Sequence, residues 1–394
     1  MAFLRNLWQS NERRRLSRAQ QLRGTVSTTR ALLIDFDGVL RHRAPDVAVQ
    51  CERDAGLPEG SLLTTAFEPV LLTPAATGAI SQQEWENRIT RTLQARYPDA
   101  DVATAVATCF GEIGYIDDEV MAIVDAVRPH ATICLISNAT DRLRRDLAAL
   151  GIIDRFDHAV ASADLGIAKP DERVFAAVAR LAGVPINRCM MVDDAPANTE
   201  AAQRLGMTGH TFTSAADLKK AVDDWLDRDL TDRTSPEVRD REAVRVLCLD
   251  PEDRLLLLHW RDPGNGAYLW EPTGGGVEPG ESYIEAAHRE LLEETGFLDV
   301  RIGPQSIPVR RDQLWRGKRF RNVEQFFVAR ISADQATTTP VLTETEVETL
   351  VGNRWWTWPD LLRTTERIEP VDLVHVLRTL VADGPWSDSF KTGM

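Results

Sequence analysis

The sequence predicts an α/β protein of two domains. The first is a doubly wound parallel sheet with a helical insertion, and the second holds a mixed sheet. Three observations lead there. The chain has 394 residues, more than one ordinary core organises. From Ala31 to about Leu226, short apolar runs alternate with helical ones. After a polar stretch the alternation stops and strands cluster instead.

The apolar runs predict strands at 31–35, 132–137, 158–161, 189–193 and 210–213. Helices are expected at 140–150, 171–182 and 197–205. Each is followed by a glycine (Gly151, Gly183, Gly206), which suits a left-handed helix end. The stretch from about 45 to 128 interrupts the pattern and reads as all helical. Ser81-Gln82-Gln83-Glu84 is placed as a capping box opening a helix that carries Trp85, Ile89 and Leu93. A helical insertion above the carboxyl end of a first strand predicts a lid over a ligand site. Trp85, Arg88 and Tyr97 are candidates to shape its specificity.

Residues 227–241 are charged and contain Pro236, as a linker would. Beyond them strands are expected at 243–249, 254–260, near 300–302, at 323–331 and at 353–358. A glycine-rich loop precedes a helix at 282–295, and another helix lies near 371–381. The expected organisation is a basic arm at 1–29, a first domain at 30–226, the linker, a second domain at 242–382 and a tail at 383–394. No internal repeat or low-complexity tract is visible.

Hydrophobic residues make up 43% and charged residues 27%, as in soluble globular proteins. The net charge of −14 argues against broad nucleic-acid binding, which needs a basic footprint. The first 30 residues carry +6, so the rest carries −20. Phe3, Leu4, Leu7 and Trp8 could form a short amphipathic turn against an anionic surface, but a loosely docked arm is the plainer reading. No apolar run approaches membrane-spanning length. Five cysteines without a CxxC pair fit buried thiols in a reducing cytosol.

Four motif groups fall at carboxyl ends of the predicted parallel strands, where chemistry collects in such sheets. These are Asp35 with Asp37, Ser137 with Asn138, Lys169 with Pro170, and Asp193 with Asp194. A carboxylate can attack phosphorus, and a second can serve as acid and then base. A hydroxyl and an ammonium can hold phosphoryl oxygens, and further carboxylates suit Mg²⁺. In this order, with Asp35-Phe36-Asp37-Gly38-Val39-Leu40, residues 30–226 resemble the haloacid dehalogenase (HAD) superfamily, in the branch whose cap follows the first strand. The resemblance implies a Rossmann-like fold, with Asp35 as nucleophile and Asp37 as acid/base. It implies Ser137 and Lys169 as charge stabilisers, with Asn138 in phosphate binding. Asp35, the Asp37 backbone carbonyl, Asp193 and Asp194 would surround Mg²⁺, and Asn198 would orient the acidic loop. True dehalogenases of the family lack the second aspartate, so Asp37 favours phosphomonoester hydrolysis; a phosphomutase also keeps both.

In the second domain Glu290, Glu293 and Glu294 share one helical face at i, i+3 and i+4. Three like charges there repel unless cations sit on them. Gly275-x5-Glu281-x7-Arg289-Glu290-Leu291-Leu292-Glu293-Glu294-Thr295-Gly296-Phe297 resembles the complete Nudix box, over a domain of about 242–365. The resemblance implies an α/β/α sandwich that cleaves nucleoside-diphosphate compounds with Mg²⁺ or Mn²⁺. Glu290, Glu293 and Glu294 carry over as metal ligands and Glu294 as a catalytic group, with the Gly274 carbonyl as a possible addition. Glu281 and Arg289 carry over as supports, and Gly275 and Arg289 are assigned beside the phosphates. A further catalytic glutamate would come from Glu344, Glu346 or Glu348, with Glu346 favoured. Thr273 stands where the family often has proline, which bears on loop shape. Trp315, Arg316, Lys318, Arg319, Phe320 and Arg321 could stack and bind phosphate, or form a basic hairpin.

The chain is expected to be a bifunctional Mg²⁺-dependent phosphohydrolase acting on small, nucleotide-type substrates in the cytoplasm; the alternatives are two independent hydrolases on one chain, or one domain acting as a ligand sensor that regulates the other.

Overall fold

The computed structural model describes residues 30–44, 46–228, 238–239 and 242–386. The expected basic arm, most of the linker and the tail beyond 386 lie outside them. The described residues group into two compact units, 30–228 with 355–386, and 238–354.

The first unit is built on five parallel strands. β1 (Arg30–Ile34) is buried throughout. A two-residue strand, β2 (Arg41–His42), leads into the insertion, and β3 (Tyr115–Ile116) pairs antiparallel with it on the way out. β4 (Ala131–Ser137), β5 (His158–Ala161), β6 (Cys189–Asp193) and β7 (Thr208–Thr211) complete a sheet of order β5-β4-β1-β6-β7. The doubly wound parallel sheet is therefore present, with its earliest strand at the centre. Ile34 lies opposite Leu135 on one side and Val192 on the other. That register brings Asp35, Ser137 and Asp193 to one edge. Leu32, Ile34, Leu135, Met190 and Val192 anchor the core beneath.

The insertion is helical as expected, with α1 (Val47–Ala55), α2 (Ser61–Ala66), α3 (Pro69–Ala76), α4 (Gln82–Arg96) and α5 (Val102–Gly111). It has a core of its own around Leu62, Ile89, Leu93 and Val106. Trp85 belongs to that core and packs on Phe110 with ring centroids 4.9 Å apart. Arg88 pairs with Glu84 at 2.9 Å, and Tyr97 lies against the same core. Only half of the capping box forms. The Ser81 hydroxyl accepts from the Glu84 amide, but the Glu84 carboxylate turns to Arg88 and Arg91.

Around the sheet lie α6 (Asp118–Val127), α7 (Leu143–Ala149), α8 (Ser162–Leu165), α9 (Glu172–Ala182), α10 (Pro196–Arg204) and α11 (Ala215–Asp227). α7 starts three residues later than its apolar pattern suggests. Thr140 donates to the Gln82 side chain at 2.7 Å, and Asp141 accepts from the Gln82 amide at 2.9 Å, so both serve the cap instead. β7 lies two residues earlier than expected.

The second unit holds a seven-stranded mixed sheet. Its strands are β8 (Val238–Arg239), β9 (Ala243–Leu249), β10 (Leu255–Arg261), β11 (Tyr268–Glu271), β12 (Ile307–Trp315), β13 (Lys318–Arg330) and β14 (Leu350–Trp356). The order is β11-β10-β9-β13-β12, with β14 on β10 and β8 on β13. β9 and β13 run parallel, while β12 and β13 form a long hairpin closed at Arg316 and Gly317. Both turn residues have positive φ, as a two-residue hairpin turn needs. The expected strand near 300–302 reduces to one bridge between Ile302 and Ala329. α12 (Tyr283–Thr295) opens on a reciprocal capping box between Ser282 and Glu285 and ends at left-handed Gly296. A short α13 (Glu344–Thr349) precedes β14.

The last two helices, α14 (Trp358–Arg363) and α15 (Leu373–Leu380), group with the first unit. Among the described residues, no helix is long and apolar enough to cross a membrane. All five cysteines are buried and free.

Candidate active sites

The first site gathers where β1, β4 and β6 end. Lys169 is buried with its ammonium 2.8 Å from Asp35 Oδ1 and 2.6 Å from Asp193 Oδ2, and it donates to the Ile136 carbonyl at 3.2 Å. Asn138 locks this lysine's backbone from both sides, accepting from the Lys169 amide at 2.8 Å and donating to its carbonyl at 2.9 Å. Asn138, assigned to phosphate binding from sequence, is thus engaged in placing Lys169. Asp193 Oδ1 accepts from the Ala195 amide and from Asn198 Nδ2 at 2.8 Å, so Asn198 does hold the acidic loop. Ser137 is buried as the last residue of β4.

Burial is the main influence on Asp35. Lys169 opposes it, but the carboxyl is pushed up to about 7. Asp194, more exposed, is raised by burial and by the Asp193 charge. One oxygen from each of Asp35, Asp193 and Asp194 lies within 4.8 Å of the others. An all-carboxylate donor set fits a hard divalent cation, which would offset the negative charge gathered there. The loop that makes this possible turns at Gly38, whose φ is +85°. A Cβ there would fall 2.2 Å from Asp194 Oδ2.

Asp37 lies apart from the lysine. Both of its oxygens are taken by Arg41, at 2.7 Å from Nε and 2.9 Å from Nη2. Arg41 is buried and covers the Phe36 ring at 4.2 Å. Sequence reading passed over this residue. Its signal is a cation directly after the apolar end of the motif, four places from Asp37.

The second site lies where the loop after β11 runs along β9 into α12. Val244 donates to the Gly275 carbonyl at 2.9 Å and Val246 to the Thr273 carbonyl at 2.8 Å. Arg289 is the organiser. It grips Glu281 through two bonds of 2.9 Å, the Gly276 carbonyl at 2.9 Å, Glu290 at 2.8 Å and Glu293 at 3.1 Å. Every end of the guanidinium is committed to the loop and helix, which is a supporting geometry. Gly275 packs on Glu290 so closely that a Cβ would meet both carboxylate oxygens at 2.6 Å.

The three glutamates of the helix face have unequal surroundings. Glu293 is the most exposed of them. Burial raises Glu290, against the pull of Arg289. Glu294 is buried and accepts from the Thr273 hydroxyl and from the Gly274 amide at 2.7 Å. Burial pushes it up to about 8 despite those bonds and Arg245. The Gly274 carbonyl accepts from Arg245 at 3.0 Å. Glu290 and Glu293 meet Arg289 while Glu294 turns to Thr273 and Gly274, so among the described residues these three do not gather their oxygens as the first site does, although carboxylates on one helix face suit a divalent cation. Glu346 stands elsewhere in role: it is the third residue of α13 and accepts from the Thr343 amide at 2.7 Å as half of a capping box.

Beneath the loop lies a buried ionic group that sequence reading missed. Arg245 on β9 and Arg311 on β12 both reach Glu324 on β13 at 3.1 Å. Each also approaches Glu271 on β11, at 3.3 and 3.5 Å. Arg245 further holds the Pro272 carbonyl at 3.2 Å.

Comparison with known proteins agrees with this division. Residues 29–206 match the model of haloacid dehalogenase-like hydrolases, and residues 239–377 match that of the NUDIX domain. A Bacillus subtilis (strain 168) protein named for diphosphatase activity is 39% identical over 75 residues, 18% of this chain and 48% of its own length. An RNA pyrophosphohydrolase of Erythrobacter litoralis is 37% identical over 113 residues, 25% of this chain and 66% of its own. One from Pelagibacter ubique is 27% identical over 151 residues, 35% of this chain and 87% of its own. Among solved structures, a HAD family enzyme from Bacteroides thetaiotaomicron, in complex with magnesium and inorganic phosphate, has a TM-score of 0.40 at 19% identity. It covers 47% of this chain and 94% of its own. The two sites therefore belong to two hydrolase folds on one polypeptide: an N-terminal haloacid dehalogenase-like hydrolase domain and a C-terminal NUDIX domain.

Proposed function

We propose that the chain is a bifunctional phosphohydrolase dependent on Mg²⁺, with Mn²⁺ also accepted by the NUDIX domain. The NUDIX domain cleaves a nucleotide-type diphosphate linkage to a phosphomonoester, and the HAD domain hydrolyses a phosphomonoester. The observation that carries the reading is the Lys169 ammonium between Asp35 and Asp193, with Asp194 beside them. Such a set stabilises a transferring phosphoryl group. The second aspartate of the motif supplies the proton that a sugar or alkyl leaving group needs.

In the HAD domain, Asp35 attacks phosphorus and the ester oxygen leaves with a proton from Asp37. Water then attacks the aspartyl-phosphate, Asp37 takes its proton, and phosphate departs with Asp35 regenerated. Lys169 and Ser137 face the phosphoryl oxygens. Asp35, Asp193, Asp194 and the Asp37 carbonyl would hold the cation, which supplies charge neutralisation when bound. In the NUDIX domain Glu290, Glu293 and Glu294 would hold the cation, and Arg289 with Glu281 keeps their helix against the loop. Relatives named as pyrophosphohydrolases support a phosphoanhydride as substrate.

One domain's product class is the other's substrate class, which supports consecutive use. Product analysis on a panel of nucleoside-diphosphate compounds tests it. Glu294→Gln should abolish anhydride cleavage, and Asp35→Asn should make the monophosphate accumulate. If Asp35→Asn leaves the final product unchanged, the two domains act independently.

A further inference from the structure

We propose that Arg41 is a positioning residue for Asp37, and that its own position is fixed through Asp146 by the docked cap. The inference rests on the phosphatase reading of the HAD domain. Its ground is a ladder of alternating charges running from the motif loop to the insertion.

The first rung is bidentate. Arg41 Nε and Nη2 hold the two Asp37 oxygens at 2.7 and 2.9 Å. Asp37 itself is half exposed, with 49% of its side chain open. A short, half-exposed carboxylate would otherwise sample several rotamers. A planar fork against a planar carboxylate fixes both its rotation and its plane. Each oxygen keeps a second lone pair for a substrate or water proton.

Arg41 is in turn over-determined. Its backbone amide donates to the Phe36 carbonyl at 2.7 Å, and its carbonyl accepts from Gly38 at 3.0 Å. The guanidinium lies over the Phe36 ring. Its remaining nitrogen, Nη1, reaches Asp146 Oδ2 at 3.0 Å. Asp146 is buried on α7, and its other oxygen accepts from Arg142 Nε at 2.7 Å. Arg142 then extends to the carbonyls of Phe110 and, at 3.3 Å, Gly111. These are the last residues of cap helix α5, where carbonyls lack helical partners and a cation is favoured. The same segment binds the cap at a second point through Thr140, Asp141 and Gln82.

A lysine could not do the same, because one ammonium cannot fork to Asp37 while also reaching Asp146. Neither Asp146 nor Arg142 touches the reacting groups, so both act through Arg41.

The test is pre-steady-state hydrolysis of p-nitrophenyl phosphate with Mg²⁺ by the full chain. p-Nitrophenolate leaves without a proton, so the first half-reaction does not need Asp37, whereas attack of water on the aspartyl-phosphate does. Arg41→Met should keep a burst of about one p-nitrophenol per site and lose steady-state turnover by at least about tenfold, part of the ~10²–10⁴ that acid–base catalysis supplies. Phosphoenzyme should accumulate, read as phosphate bound to intact protein by mass. Arg41→Lys should recover less than half of the turnover. Arg142→Met, which leaves Arg41 in place, should show the same signature more weakly. Burst and turnover falling together in all three variants would mean a structural role only, and unchanged turnover would mean no role; either overturns the proposal. A wild type that forms no phosphoenzyme, while Asp35→Asn behaves like it, overturns the phosphatase reading and this inference with it.

Discussion

At the scale of single residues, both sites depend on the absence of a side chain beside a carboxylate. Gly275 has no atom where a Cβ would stand 2.6 Å from Glu290. An added methyl must push Glu290 off the loop or pull the loop off β9, since the Gly275 carbonyl is already bonded to Val244. Gly275→Ala should therefore lower anhydride cleavage by about 10²-fold, the scale of an active-site displacement of about 1 Å. Hydrolysis of p-nitrophenyl phosphate by the same protein should be unaffected. Equal loss of both activities would show a folding defect instead. Residues of this kind were legible because spacing carries them: the aspartates follow a strand, and the glutamates recur on one helix face. For Arg41 only its spacing from Asp37 was legible. Its partner Asp146 is 105 residues away in sequence, and only the fold joins them. Asn138 lies against the Lys169 backbone and Arg289 against the Gly276 carbonyl and three glutamates, and these partners include backbone groups that no pattern displays.

Among elements, β9, α12 and the buried strands of the parallel sheet were readable from apolar runs and caps. β12 was not. Pro308, Arg310, Arg311, Asp312 and Gln313 break the alternation that marks a strand, and Arg311 faces inward because Glu324 is there to meet it. Such a buried group tests the strand packing directly. Burial pushes the Glu324 carboxyl up, but Arg245 and Arg311 overrule it and hold it below the ordinary glutamate value of 4.5. A folded-state value below the unfolded one stabilises the protein above the unfolded value and loses that contribution as pH falls through the folded one. Glu324→Gln removes the charge between two buried guanidinium groups and should destabilise the NUDIX unit by about 3 kcal/mol at pH 7. In urea melts the gap between wild type and variant should be full at pH 7 and shrink only below about pH 4.5. A gap that stays constant to the acid limit would refute this electrostatic account.

At the scale of the whole molecule, the chain departs from a simple succession of domains. A second domain was expected to run to 382, and the NUDIX model matches to 377, yet residues from Trp355 onward group with the first unit. The apolar pattern of α15 was legible, but the surface it covers was not, because amphipathic periodicity names a face and not its partner. The partner is α9. Arg180, near its end, donates to the carbonyls of Leu362 at 2.7 Å, Thr364 at 3.0 Å and Glu366 at 3.3 Å. Burial alone draws this guanidinium down to about 10, so it remains charged at neutral pH. Around it Leu361, Leu362, Leu373, Val376 and Leu377 are buried, and the Trp386 indole donates to the Val381 carbonyl at 2.6 Å. Arg180→Ala leaves carbonyls at and just past the end of α14 without their donor, a loss of about 1.5–3 kcal/mol, the scale of hydrogen bonds made by a charged group. Among the hydrogen bonds and ion pairs of Arg180 none reaches the carboxylates of either site. The variant should thus keep full p-nitrophenyl phosphate turnover at 25 °C, lose it at a lower temperature than wild type, and expose the 355–386 segment to limited proteolysis. If the segment stays protected and the inactivation temperature does not move, Arg180 does not fasten α14 and α15 within the first unit.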